Sequence, residues 1–509
     1  MQRYFGGRTA SRFLAVIMMM TAFCFLPACD SGGGSTIYYE TAGKPANIDP
    51  QLAQSLEELT VVSNAFDGLF RMVDGELRPA ACVSHTLSTD GKTYTFTLNP
   101  EAKWSNGKPQ TADDFAFGLQ RAVAKETKAP HAELLRAFKS VEAPNETTLV
   151  VHLSAPDPNF LQALSHPVSF PCHRAFFEKA AGRYGLSAAT IIGNGPFAIS
   201  RWRENSSLRL TRNRHYIGPF TAVPRQVVIT NNADHSDRLG RLLAGNNDVC
   251  FIGGDAINTA AEQGFSVQST PNTCYLLLLS QTDSFLKEPA TRGALFAALD
   301  RVECSVSMPQ FLTPADALIP TDIAVQGADY RAAATNVKTR IAFSPSSART
   351  SWLAQVATLK DKRAPDLVLI HTDDAGMKTT ASLIAQSWQK NLGAYINIKE
   401  VPRAGMLREV NAGQFQIALY PLSPDENTAE AFLKAFGADG SLSAYGGGAA
   451  LADNSTVAGL AATEQAILDK KTVLPIVYGA SHLGSIPGLT GLHFDNSGNI
   501  IDFFAADKK

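Results

Sequence analysis

The stretch DGKTYTFTLNPEAKWSNGKPQTADDFAFGLQRAV, residues 90–123, carries signals for three successive structural elements. Its turn sequences Asp-Gly-Lys and Asn-Gly-Lys flank the alternating segment YTFTL, which is typical of a β-strand with one buried face. Thr111 stands where a helix N-cap is expected, with Asp114 three residues later and a helical apolar pattern after it. We expect Trp104, which lies between the turns, to pack in a core rather than stack on a ligand. The stretch therefore predicts a strand, a turn and a capped helix.

Strands and helices alternate further along the chain. Residues 193–216, GNGPFAISRWRENSSLRLTRNRHY, contain a Gly-Pro turn and two strand patterns joined by a polar hairpin. Residues 364–374 indicate a buried strand, residues 381–393 a helix that ends at a glycine, and residues 395–401 another strand. The order strand, helix, strand predicts a βαβ unit and an α/β fold.

Composition limits the class of protein. The chain has 509 residues, too many for one small core, so two or three lobes are expected. Hydrophobic residues make up 45%, charged residues 18%, and the formal net charge is −2. No Lys/Arg stripe stands out for phosphate neutralisation, so we expect a soluble globular body that does not bind nucleic acid.

The N-terminus has the layout of a secretory signal. Arg3, Arg8 and Arg12 precede the apolar run at residues 13–28, which is short for a membrane span. The sequence LPAC ending at Cys29 resembles a bacterial lipobox, which implies that Cys29 becomes the lipidated first residue, followed by a flexible glycine tether. The alternative is an ordinary cleaved signal with an incidental cysteine.

Five cysteines follow the tether: Cys82, Cys172, Cys250, Cys274 and Cys304. Cys250 and Cys274 end neighbouring strand patterns, so we predict a disulfide between them, although sequence alone leaves the connectivity open. No CxxC pair is present. His166, Cys172 and His173 are metal-ligand types, but their spacing favours a loop without metal. No catalytic motif is found, so we expect no enzymatic activity, no cofactor and no metal.

Several motifs resemble those of one family, the extracytoplasmic solute-binding proteins, family 5, of peptide ABC importers. They occur in the family's order, at residues 48–53 (IDPQLA), 64–72 (NAFDGLFRM), 90–123 and 193–216. Weaker matches continue to the C-terminus. The resemblance implies an α/β, two-lobe periplasmic binding protein (Venus-flytrap, class II, cluster C) with an extra inserted domain.

The same resemblance implies a division of the chain. The expected parts are a lipoprotein signal peptide (1–28), a lipidated tether (29–35), a core domain of lobe 1 (36–52, 193–275 and 476–509), an inserted domain of lobe 1 (53–192) and lobe 2 (276–475).

We expect the ligand between the lobes, held by extended segments. Tyr39, Tyr275 and Tyr420 lie in or beside strands expected near the cleft, although for any single one of them a packed role is favoured. Relatives hold a peptide ammonium with an aspartate in a Trp-x-x-Asp setting, where this chain reads YPLSPDENT. Asp425 is the candidate replacement; the alternative is a solvated loop acid.

The resemblance implies a function and partners. The chain is expected to be a lipid-anchored, monomeric peptide-binding protein that serves an ABC permease and ATPase from the periplasmic face of the inner membrane. Asp30, beside Cys29, resembles an inner-membrane retention signal. The alternatives are a same-fold binder of a nickel chelate, haem, an oligosaccharide or an opine, and a ligand sensor without a transport role.

Overall fold

The fold is taken from a computed structural model of the chain. It describes residues 34–203, 206–325, 328–424, 427–438, 440–446, 456–495 and 498–509. Among these residues, no helix combines the length and the apolar character that a membrane crossing requires.

The strands of the described residues are, in chain order, β1 (Thr36–Thr41), β2 (Phe70–Val73), β3 (Glu76–Pro79), β4 (Cys82–Leu87), β5 (Thr93–Leu98), β6 (Phe138–Asn145), β7 (Thr148–Leu153), β8 (Phe197–Arg203), β9 (Ser207–Arg212), β10 (Gln226–Asn231), β11 (Val249–Ile252), β12 (Ser266–Leu279), β13 (Thr313–Pro314), β14 (Ala324–Val325), β15 (Ala328–Asp329), β16 (Leu367–Thr372), β17 (Ile396–Val401), β18 (Ile417–Leu422), β19 (Val473–Ser485), β20 (Leu489–Thr490), β21 (His493–Phe494), β22 (Ile501–Asp502) and β23 (Asp507–Lys508).

The α-helices are α1 (Leu56–Ala65), α2 (Ala112–Val123), α3 (Phe160–Ala163), α4 (Arg174–Ala180), α5 (His235–Leu243), α6 (Ile257–Glu262), α7 (Pro289–Ala297), α8 (Arg301–Ser307), α9 (Tyr330–Ala333), α10 (Pro345–Thr358), α11 (Met377–Leu392), α12 (Arg403–Asn411), α13 (Ala429–Lys434), α14 (Ser443–Gly446) and α15 (Val457–Asp469). Short 3₁₀ helices lie at Ala132–Leu135, Pro167–Ser169, Ala188–Thr190 and Gly254–Ala256.

One sheet of eleven strands runs through both lobes, in the order β17-β16-β18-β12-β19-β11-β1-β10-β9-β8, with β13 paired to β19 beside this path. Strands β12 and β19 are long, with 14 and 13 residues, and they pair antiparallel from Ser266 opposite Ser485 to Leu278 opposite Val473. One end of this pair adjoins β11, and the other adjoins β18. The two strands therefore cross between lobe 1, built on β1 and β8–β11, and lobe 2, built on β16–β18.

Lobe 1 packs its core on one face of the sheet. Ile37 and Tyr39 of β1 point to that core because successive residues of a strand face opposite sides. Helix α1 covers this face, and its start is fixed by a capping box in which Ser55 and Glu58 bond to each other's backbone N–H groups. The predicted strand–hairpin–strand at residues 193–216 forms as β8 and β9, which pair antiparallel.

The inserted region carries its own four-stranded sheet, β4-β5-β7-β6, packed against α2. The fold-deciding stretch forms as predicted: β5 contains the YTFTL segment, and Thr111 and Asp114 make the capping box of α2. Trp104 is fully buried, as expected, and its indole N–H donates to Asp114 at 3.0 Å. The stretch thus folds on itself through one buried indole–carboxylate bond.

A buried ion pair joins this inserted region to the chain's first loop. The Arg121 guanidinium on α2 donates to Asp49 at 2.6 Å, and it also donates to the thiol sulfur of Cys172 at 3.3 Å. Asp49 is 1% exposed. A buried carboxylate needs a paired cation, so loop and helix depend on each other.

Lobe 2 contains the predicted βαβ unit. Strand β16, helix α11 and strand β17 follow one another, and the two strands pair in parallel. Strand β18 lies parallel on the other side of β16. Apolar cores lie on both faces of this part of the sheet, one below α11 and one below α13 and α15.

The segment between α8 and α10, whose sequence shows little pattern, is held by one buried carboxylate. Glu464 on α15 is fully buried and accepts from the backbone N–H groups of Leu318 and Ile319, the hydroxyl of Tyr330 and the guanidinium of Arg331, at 2.7–2.9 Å. Four donors converge on one side chain, so this segment takes its path from a residue more than 130 positions later in the chain.

The predicted disulfide is wrong. Cys250 lies in β11, in a small core with Leu242 and Ile252, whereas Cys274 lies in β12 in the core of lobe 2. All five cysteines among the described residues are buried free thiols. Two strands that follow each other in sequence are here separated in the sheet by β19.

We predict that Glu464→Gln lowers the free energy of unfolding by about 3 kcal/mol, because it leaves Arg331 without its counter-charge and turns an amide group toward N–H donors. Urea denaturation of the purified protein measures the change. The matched control is Glu262→Gln on exposed α6, for which we expect no measurable loss. Equal stability of the two variants would contradict the role given to Glu464.

Candidate ligand-binding cleft

The parallel strands of lobe 1 end at the junction between the lobes. Strand β1 is parallel to β10 and β11. Val249 at the start of β11 lies opposite Ser485, and Ile252 at its end lies opposite His482, nearer the middle of the crossing strand β19. The loops after β1, β10 and β11 therefore face lobe 2.

The parallel strands of lobe 2 end at the same junction from the other side. On β12, Leu279 lies opposite Ile417, the start of β18, and Cys274 lies opposite Leu422, its end. Strands β16 and β17 are parallel to β18, so their carboxyl ends also point toward lobe 1. In open α/β sheets ligands bind in the crevice outside the carboxyl ends of strands. The space between these two sets of loops is the candidate site.

Neutral polar groups form the floor of this space, where β12 and β19 pass from one lobe to the other. The β12–β19 register shifts between Pro271 and Thr273, which marks an irregular point in the ladder. Next to it, the side-chain amide of Asn272 donates to Ser481 at 2.8 Å, and the hydroxyl of Thr273 bonds to that of Ser423. We call Asn272, Thr273, Ser423 and Ser481 the hinge cluster. It carries hydroxyl and amide groups and no formal charge.

A charged group lies at the ends of β16 and β17. Asp374 accepts from the hydroxyl of Tyr275 at 2.9 Å, from Thr372 at 2.8 Å and from the guanidinium of Arg403 at 3.2 Å. Burial, and then the charge of Asp374, raises the pKa of Tyr275 well above its ordinary value, so the tyrosine stays a neutral donor. This cluster fixes the loops after both strands and leaves the Arg403 side chain 39% exposed.

The two lobes touch across the cleft. Asn159 in the inserted region donates to Glu430 on α13 of lobe 2 at 3.3 Å, and Arg136 lies 3.9 Å from the same carboxylate. Elsewhere, Gly254 of lobe 1 lies so close to Phe311 of lobe 2 that a Cβ would come within 2.3 Å of its ring. These contacts hold the lobes near each other.

A small cavity of about 60 Å³ lies in lobe 1 between the inserted region and the C-terminal segment. Its polar lining includes Ser63, Arg71, Gln162, His166, Asp495 and Asp502. Arg71 is paired with both Asp67 and Asp502. Burial, and then the neighbouring His131, lowers the pKa of His166 to about 3, so this imidazole is neutral at physiological pH. The cavity's charges are thus largely paired within the protein.

The three tyrosines chosen from the sequence are buried. Tyr39 packs on Phe503 in the core of lobe 1, with ring centroids 5.4 Å apart. Tyr275 reaches Asp374 from the lobe 2 side of the crossing strand, and Tyr420 lies in the core of lobe 2. Their contact with a ligand stays a prediction. Asp425 and Cys29 lie outside the described residues.

The three residues near position 170 that could bind a metal each have a separate structural role. The ring nitrogens of His166 and His173 accept the backbone N–H groups of Val168 and Phe176, which caps two short helices. The sulfur of Cys172 accepts a hydrogen bond from the guanidinium of Arg121. Within the described ranges, no three His, Cys, Asp or Glu side chains are grouped for a metal ion.

Sequence reasoning missed most of the residues that face this junction. Asn272, Thr273 and Ser423 are small polar residues without a motif, and they meet only because β12, β18 and β19 are neighbours in the sheet. Arg403 and Asp374 do carry a signal, since each lies two residues after a strand of the parallel part of the sheet.

We predict that Glu430→Gln shifts the lobes toward an open arrangement, because the substitution removes the charge that Arg136 faces. A partly exposed pair contributes on the order of 0.5 kcal/mol, so the open-to-closed ratio should rise about twofold. Single-molecule fluorescence energy transfer between labels in the two lobes measures this ratio. Glu126→Gln, an exposed carboxylate of the inserted region, is the control. An unchanged ratio in Glu430→Gln would show that the contact does not hold the lobes.

Relatives of known name align along most of the chain. The dipeptide-binding protein of Lactococcus lactis is 26% identical over 91% of this chain and 92% of its own length, and the dipeptide-binding protein DppE of Bacillus subtilis is 24% identical over 82% and 79%. Among solved structures, Listeria monocytogenes OppA bound to peptide superimposes with a TM-score of 0.74 at 20% identity, covering 94% of this chain and all of that one.

The family model for bacterial extracellular solute-binding proteins, family 5, matches residues 49–443, well over half of the sequence. The matched range contains the inserted region and most of lobe 2. The chain therefore belongs to the bacterial extracellular solute-binding proteins of family 5, which are binding proteins and not enzymes.

Proposed function

We propose that this protein is the lipid-anchored substrate-binding component of an ABC importer, which binds peptides between its lobes and delivers them to a permease and its ATPase. The observation that carries the proposal is the junction itself: two lobes whose parallel strands end toward each other, joined by the crossing pair β12 and β19. A connection made of two strands allows the lobes to rotate relative to each other. The lobes can therefore close on a ligand by a hinge motion.

The names of the relatives support peptides as the ligand class. Two relatives are called dipeptide-binding proteins, and the superimposed OppA structure holds a peptide. A peptide presents backbone donors and acceptors, which hydroxyl and amide groups such as those of the hinge cluster can pair. Residues 1–28 as a lipoprotein signal, Cys29 as the lipidated residue and a periplasmic, membrane-attached, monomeric protein complete the proposal.

A second candidate is a same-fold binder of a non-peptide solute. The hinge cluster is neutral, and Ser423 stands in the position where the Trp-x-x-Asp pattern would put its acid if Tyr420 replaced the Trp. A site without a carboxylate at that point favours a ligand whose end is uncharged, because a buried ammonium needs a counter-charge.

Native mass spectrometry of the protein purified from an exporting host decides between these candidates. We expect the intact protein to carry bound peptides, which denaturation releases as a set of short chains of related length. A single non-peptide species released in stoichiometric amount would replace the peptide proposal with the second candidate. The same preparation, digested, reports the mass of the N-terminal peptide, and an acylated Cys29 is the expected result.

We predict that Asp425→Asn weakens binding of the recovered peptides about tenfold to a hundredfold, because it removes the proposed partner of their ammonium group. Calorimetric titration of these peptides measures the loss, and their N-acetylated forms should bind both proteins equally. Asp366→Asn, an exposed acid of lobe 2, is the matched control. Equal binding of free and N-acetylated peptides by the unsubstituted protein would remove this role of Asp425.

A further inference from the structure

A group of arginines covers one exposed face at the edge of lobe 1. Arg201 and Arg203 lie on the edge strand β8, and Arg209 lies on β9; all three are exposed. Arg201 stands directly opposite Arg209 in the antiparallel ladder. Residues directly opposite one another share a face, so the two guanidinium groups extend from the same side of the hairpin.

The charge of this hairpin differs from that of the rest of the protein. Residues 201–214 contain five arginines and one glutamate, a formal charge of +4 in a chain whose total is −2. No ion pair to a carboxylate of the described residues is formed by Arg201, Arg203 or Arg209. Like charges directly opposite in a sheet are unfavourable, so an anionic partner would relieve a repulsion that the fold itself maintains.

The arginine face lies close to where the described chain begins. The backbone carbonyl of Ser35 accepts from the N–H of Arg225, and Thr36 pairs with Gln226 of β10. From β1, strands β10, β9 and β8 follow in order, so β8 is three strands away, about 14 Å. Tyr38 of β1 and Arg209 align with the same residue of β10, Val228, and both are exposed on that face.

The proposed anchor limits how far this face can be from a membrane. Cys29 precedes Gly34 by five residues, and five residues span at most about 18 Å when fully extended. That distance is comparable to the separation of β8 from β1, about 14 Å, and to about two Debye lengths at physiological salt. A short tether therefore keeps the arginines near any lipid surface that holds the chain.

We propose that the face formed by Arg201, Arg203 and Arg209 binds the anionic head groups of the membrane to which the protein is anchored. The proposal rests on the lipid anchoring put forward under the proposed function. Guanidinium groups bind phosphate in a bidentate way, and each basic side chain near an anionic surface adds a measurable attraction. Together, tether and arginines hold the edge of lobe 1 against the lipid, which orients the cleft relative to the membrane plane.

The test uses the mature protein and vesicles with about 30% phosphatidylglycerol in phosphatidylcholine. A donor fluorophore on Ser206→Cys reports the distance of the hairpin from acceptor lipids, and one on Asn397→Cys reports the opposite edge of the sheet. The described native thiols are buried, so they do not compete for the label. We expect stronger energy transfer from position 206 than from position 397, lost at about 0.5 M salt or in pure phosphatidylcholine.

The variant R201Q/R203Q/R209Q should lower the transfer from position 206 to the level of position 397, whereas removal of three exposed charges on lobe 2, R349Q/K360Q/R363Q, should leave it unchanged. Unchanged transfer in the first variant, or equal transfer on both vesicle types, overturns the proposal. If the mass of the N-terminal peptide shows no acyl group, the proposed lipid anchor is wrong, independently of the arginine face. Flotation of the protein with the same vesicles then measures binding by the arginine face alone. The arginine variant should then bind about a hundredfold more weakly.

Tighter association of the protein with a nucleic acid than with anionic vesicles, measured in the same salt, would also overturn the proposal. Folding of each variant is verified by thermal melting, which exposed Arg→Gln changes should leave within a few degrees of the unsubstituted protein.

Discussion

The pairing of β12 with β19 is the constraint on which the rest of the molecule depends. It carries one hydrogen-bonded ladder from Ser266 opposite Ser485 to Leu278 opposite Val473, through both lobes. Backbone bonds of a sheet interior do not stretch, so relative motion must be absorbed where the ladder is irregular. The ladder is irregular between Pro271, which has no N–H to donate, and Thr273, and again between Tyr275 and Leu276. The first of these is the irregular point beside the hinge cluster. The parallel strands of both lobes are placed against the two ends of this pair, and their carboxyl ends therefore face one another across the irregular point.

The residues that make the family recognisable hold the scaffold together and lie away from this junction. Trp104 donates to Asp114, 10 residues later, and Asp49 pairs with Arg121, 72 residues later; both bonds are buried. Removing one partner of such a bond leaves the other unsatisfied in a low-dielectric interior, which costs far more than the bond itself contributes. Recognition of the family from these residues therefore identifies the framework more securely than the ligand.

Elements with a regular apolar period were predictable from the sequence, and features that depend on strand order were not. The β16–α11–β17 unit is readable because its pattern changes from a continuous apolar run to helical spacing and then to the alternation of β17. Alternation also places Tyr39 on a buried face, but it does not tell which face of a strand meets a cleft and which meets a core. The Glu464 network and the separation of Cys250 from Cys274 by β19 both arise from pairings between distant segments. No local pattern encodes such pairings.

The hinge cluster links ligand chemistry to lobe movement. Ser423 directly follows β18 of lobe 2, yet it bonds to Thr273 of the crossing strand, and Asn272 reaches Ser481 on the other crossing strand. A ligand group placed there contacts both moving strands and the lobe 2 loop at once. Neutral hydroxyl and amide groups can exchange partners at small cost, since each can donate and accept. A carboxylate at Ser423 would accept only, and would hold a cation at the pivot itself. With a serine at this point, a counter-charge for a ligand ammonium has to come from another residue, and Asp425 stands two positions later in the sequence.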